Sequence, residues 1–109
     1  MADNNYLKLV EDVYLALDAA FDTLYAEASS KQRLMLRAVH ASARDAYWKA
    51  VAERLEDDNP MVKQVVADLK KTTKELKSQL SAMEDVAEAI SVASKAVQLA
   101  GSLVTLAGT

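Results

Sequence analysis

The stretch SQLSAMEDVAEAI, Ser78–Ile90, decides how this chain is built, because a helix either runs through it or turns back within it. Ser81 followed by Glu84 has the form of a capping box, in which the serine hydroxyl and the glutamate carboxylate satisfy free amides at the start of a new helix. Against a turn, the chain carries no glycine or proline between Pro60 and Gly101. The residues Val62, Leu69, Leu76, Met83, Ile90, Val97 and Val104 form an unbroken apolar line at heptad spacing. The residues four beyond each, from Val66 and Thr73 through Leu80, Ala87 and Ser94 to Gly101 and Gly108, are nearly all apolar or small. A register kept across this stretch predicts a continuous third helix over 60–107. The alternative is a break near Ser81 and an up-down four-helix bundle.

Working outward, the rest of the chain reads as an all-α helical hairpin. Two glycines, one proline and no cysteine in 109 residues leave too little turn chemistry for a β-rich fold and no thiolate or disulfide chemistry. Leu7, Val10, Tyr14, Leu17, Phe21, Leu24 and Ala28 alternate at spacings of three and four, which makes one stripe of a helix over about 5–28. Ser29 with Gln32 forms a capping box for a second helix over about 30–56. That helix has an inward face of Leu36, Val39, Ala43, Ala46 or Tyr47, and Ala50, and an adjacent stripe of Leu34, Ala41, Trp48 and Leu55. Asn59 then suits an N-cap and Pro60 the first helical position. The chain, 1–109, is expected to be a single helical domain.

Charge is arranged segment by segment. Residues 1–28 hold six acids and one base, whereas 31–55 hold six bases and two acids, so oppositely charged helices are expected side by side. Lys63, Lys70, Lys71, Lys74 and Lys77 form a basic run, but it lacks arginine or interleaved aromatics, and the net charge is −3. The reading is a solvated helix face, and nucleic acid is not an expected partner.

Chemistry-bearing patterns are sparse. The sequence holds no phosphate loop, dinucleotide fingerprint or zinc-protease motif. His40 is the sole histidine, and it has no Glu-x-x-His partner. Glu84, Asp85 and Glu88 lie within about one turn and read as the polar side of a helix rather than a cation site. Tyr6, Tyr14 and Tyr25 fall at roughly helical spacing and are assigned to packing rather than to a ligand. No enzyme activity, cofactor or metal is expected.

The C-terminal segment carries the functional expectation. Ala96 to Thr109 contains no charged residue. A continuous third helix would reach about 70 Å, while each helix of the hairpin would reach about 35–40 Å, leaving half the rod uncovered. Ile90, Ala93, Val97, Leu99, Ala100, Leu103, Val104 and Leu106 are therefore the expected interface, joining the chain to further copies as a dimer or tetramer coiled coil. About six such side chains at ~1.5–3 kcal/mol each would contribute on the order of 10 kcal/mol before association costs. Two other readings use the same surface: an adaptor, chaperone or neutralising partner that docks a larger protein, and a membrane-active helix that inserts reversibly. A stable transmembrane span is not expected, because Glu88 and Lys95 interrupt an apolar run already short of about 20 residues. The N-terminal MADNNYLKLVEDVY lacks a secretory pattern, which makes the cytoplasm the expected location, with signal-independent export left open.

Overall fold

A computed structural model describes residues 4–52, 60–82 and 85–107, and these fold as four helices. They are α1 (Asn4–Glu27), α2 (Ser30–Ala52), α3 (Pro60–Ala82) and α4 (Val86–Ala107). The first corner follows the sequence. The Gln32 amide donates to Ser29 Oγ at 3.2 Å, and the Ser29 amide donates to Gln32 Oε1 at 2.8 Å. Arg33 completes the corner from the other side, its Nε donating to the Tyr25 carbonyl at 2.8 Å and so occupying one of the free carbonyls that end α1. Pro60 stands at the start of α3, where its missing amide costs nothing. Asn59, Leu55 and the end of the expected second helix lie outside the described residues.

The continuous helix over 60–107 is corrected by the structure. Helix α3 stops at Ala82 and α4 starts at Val86. The cap is Asp85: its Oδ1 accepts from the Glu88 amide at 3.2 Å, and its carbonyl accepts from Ala89 at 3.0 Å. Ser81 remains inside α3, exposed. The chain therefore uses an aspartate N-cap, which needs no glycine or proline before it. The heptad line survives the corner because Leu76 and Ile90 are two whole heptads apart, and both helices of an antiparallel hairpin need that line inward. Val62, Leu69, Leu76, Ile90, Val97 and Val104 are all buried. Folding back covers α4 on several sides within one molecule, whereas a rod would leave its apolar surface wet. The molecule measures 43 × 22 × 18 Å, well short of the rod's length.

Helices α1 and α2 are antiparallel, since Tyr14 stacks on Tyr47 and Asp18 meets His40, while Tyr25 meets Arg33 at the corner. Helices α2 and α4 run in the same direction. Ala38 and Val39 lie beside Ser94 and Val97 at one end of their seam, and Lys49 and Ala52 lie beside Val104 and Thr105 at the other. Helix α3 runs alongside α1, with Lys77 Nζ 2.9 Å from Asp12 Oδ2, and is antiparallel to α4. The order around the bundle is α1, α2, α4, α3, and α2 does not touch α3 among the described residues.

Helix α4 is the hub, packing against all three others. Its buried face holds Ala89, Ile90, Val92, Ala93, Ala96, Val97, Ala100, Leu103, Val104 and Ala107. Alanines on that face let neighbouring backbones approach, while Leu17, Leu24, Leu36, Leu69, Leu76 and Leu103 fill the spaces between them with fully buried side chains. Each such leucine contributes about 1.5–3 kcal/mol of transfer free energy. Among the described residues the buried polar side chains are Thr72 and Thr73, and Thr73 Oγ1 has no hydrogen-bond partner.

Candidate functional site

The residues expected to form an interface sit inside the molecule. Ile90, Ala93, Val97, Ala100, Leu103 and Val104 are buried, and Leu99 and Leu106 are half-buried against the same core. The apolar face of α4 is covered by α1, α2 and α3 of its own chain, because no part of α4 overhangs the hairpin. Helix α4 still has the length and mean hydropathy, 1.4 over its best window, of a membrane-crossing segment, and half of that window is buried in the bundle.

The polar chemistry gathers on the seam between α1 and α2. His40 Nε2 lies 2.8 Å from Asp18 Oδ1, and the imidazole sits 4.6 Å from the Phe21 ring and 5.7 Å from the Tyr14 ring. Arg33 and Arg37 stack over Tyr25 at 4.8 and 5.2 Å, and Arg37 also donates to the Tyr25 hydroxyl. At the far end Tyr47 hydrogen-bonds the Glu11 carboxylate. That bond, with partial desolvation and the negative charge of Glu11, raises the phenol above its usual value of 10.0. The seam resembles a specificity strip for the hairpin: each polar group meets a partner from the opposite helix, and His40 accepts no serine, threonine or lysine among the described residues. No group of three histidine or acidic side chains that could hold a metal ion comes together among the described residues. Asp85 is spent on the α4 cap, and Glu84 lies outside the described residues. Tyr6, Tyr14 and Tyr25 are buried or half-buried in the bundle rather than gathered at an open site.

What the fold leaves uncovered is the outer face of α2. Of the large apolar side chains exposed among the described residues, Leu34, Met35, Trp48 and Val51 belong to α2, with only Leu15 on α1 and Met61 on α3. Leu34 is 66% exposed and Trp48 59%. With Ala41 midway between them they make a straight stripe along the outer surface, because positions seven apart differ by only about 20° around a helix. Arg37 and Arg44 flank the stripe on the α1 side. Asp45 flanks it on the α4 side, at the edge of an open groove between α2 and α4. The groove is floored by small residues, among them Ala38, Ser42, Ser94 and Gly101, and a side-chain carbon added at Gly101 would meet no atom within 4 Å.

The stripe Leu34, Ala41, Trp48 was legible as a periodicity but was assigned to an internal contact. Arg33 as the cap of α1 carried no sequence signal, since an arginine one turn into a helix usually serves solvent. No family model matches this chain, and neither a curated protein nor a solved structure does. The structure itself therefore defines the class: an all-α four-helix bundle, with parallel α2 and α4 and a single apolar face left open.

Proposed function

We propose that the protein is a non-enzymatic helical interaction module whose docking element is the outer face of α2. One observation carries this reading: a bundle that has filled its own core keeps a heptad-spaced apolar stripe, Leu34–Ala41–Trp48, open to water along one helix. Isolated exposed apolar residues are ordinary on soluble proteins, but a line of them on one face, bordered by charge, is the form a helix-docking surface takes. Trp and Arg are also the side chains most often found as binding anchors. The expected C-terminal interface does not serve, since its members are enclosed by the chain's own helices.

A hydrophobic dye tests the face without reference to what covers it. Dilute wild-type protein should bind the dye with enhanced fluorescence, and the double variant L34E/W48E should lose most of that signal while keeping its helicity and melting temperature. Undiminished dye binding by a folded L34E/W48E protein would place the sticky surface elsewhere and end this reading. Dye-independent leakage of anionic vesicles by the intact chain, lost on charging the α4 face, would support membrane action instead.

A further inference from the structure

We infer that the occupant of the α2 face is a second copy of the chain, docked antiparallel across a two-fold axis through Ala41. The inference rests on the docking reading above and adds the partner and its register. A two-fold interface brings together residues equally far before and after the axis, and it requires that they suit one another. About Ala41, α2 meets that requirement. Leu34 lies seven residues before and Trp48 seven after, so each tryptophan would lie on the leucine of the second copy. Arg37 lies four before and Asp45 four after, giving an ion pair on each side. Ala38 lies three before and Arg44 three after, so the long arginine stem would lie over a small residue. Alanine at the axis itself lets the two helices approach closely.

The flanks agree with the register. Arg37 is on the α1 side of the stripe, where it reaches Tyr25, and Asp45 is on the α4 side, at the groove. Rotation about the axis exchanges the two flanks as well as the two ends, so Arg37 of one copy and Asp45 of the other arrive at the same place. Among the described residues neither Arg44 nor Asp45 takes part in an ion pair within its own chain. A parallel pairing would instead set Arg37 against Arg37 and Arg44 against Arg44. One helix face is smaller than the ~1,600 Å² of a standard interface, so the expected behaviour is a concentration-dependent exchange of monomer and dimer.

Sedimentation velocity on the full chain tests this directly. Wild type should shift from monomer to dimer as concentration rises, and the emission of Trp48, the chain's sole tryptophan, should move to the blue over the same range. Arg37→Glu and Asp45→Arg should each weaken dimerisation about tenfold or more, since each turns two attractive pairs repulsive. Mixing the two variants should restore a heterodimer, because every facing pair is then again of opposite charge. Arg37→Glu also removes a contact to Tyr25, so Asp45→Arg is the arm that leaves the α1–α2 seam intact. In a chain without cysteine, Ala41→Cys should form a disulfide-linked dimer under mild oxidation, while Ala19→Cys on exposed α1 should not. Wild type that stays monomeric at every concentration overturns the inference, as does a dimer indifferent to both charge variants or a mixture that yields no heterodimer. Dye binding lost in L34E/W48E, with no dimer in wild type, would keep the docking face and remove the second copy as its occupant.

Discussion

Helices α2 and α4 carry the same kind of signal, an apolar line at heptad spacing, and the fold treats them in opposite ways. On α4 the line Ile90–Val97–Val104 is enclosed by three neighbouring helices; on α2 the line Leu34–Ala41–Trp48 faces water. The difference lies in what surrounds each line. Around α4 the flanking positions are also apolar or small, so the helix can be covered on several sides at once, whereas on α2 the stripe is bordered by Arg37, Arg44 and Asp45. An apolar line says that a surface should be covered; its borders say whether the cover is a core or a separable partner.

The largest effect should come from removing α4. Truncation after Ala89 deletes nearly the whole buried face of the hub helix, and the remaining helices should lose cooperative thermal unfolding and most of their helicity by circular dichroism. A truncated chain that stays helical and melts cooperatively would mean that α4 is an appendage, and the contrast with α2 would collapse. Single truncations sharpen the same contrast. Leu103→Ala should destabilise the bundle by about 2–5 kcal/mol in denaturant unfolding, because the side chain is fully buried, and Leu34→Ala should change it by no more than about 0.5 kcal/mol.

A smaller effect separates the two capping assignments at the start of α4. Asp85→Ala should cost about 0.5–2 kcal/mol, while Ser81→Ala, on the exposed side of α3, should be near neutral or slightly stabilising. The reverse order would put the corner at Ser81. The smallest effect concerns Tyr47, on the side of α2 that faces α1. Its folded pKa lies above 10.0, so on raising the pH past that value the unfolded chain releases its proton first and stability falls. Tyr47→Phe should flatten that alkaline slope in a melting-temperature series, and an unchanged slope would show that the Glu11 bond is not its source.

Much of this architecture could be read before any coordinates. The Ser29–Gln32 box, the Pro60 start and the inward line of α1 all rest on local chemistry with one common outcome, and each is found as expected. The corner before α4 was harder to read because Asp85 ends one helix and caps the next without a glycine or proline, and Leu76 and Ile90 happen to keep whole-heptad spacing across it. Periodicity reports which side of a helix is dry and is blind to a reversal of direction that preserves that side. The exposed stripe escaped for a related reason: Leu34, Ala41 and Trp48 have a core-like pattern, and only the three-dimensional placement of α1 and α4 shows that no helix of the same chain reaches them.

Because α4 touches every other helix and follows them all in sequence, the nascent chain has nowhere to hide Leu17, Leu36 or Leu69 until the ribosome has synthesised that final segment. The early helices must wait in a partly collapsed state, and the α1–α2 seam of rings and arginines is the one long-range arrangement they can assemble in the meantime.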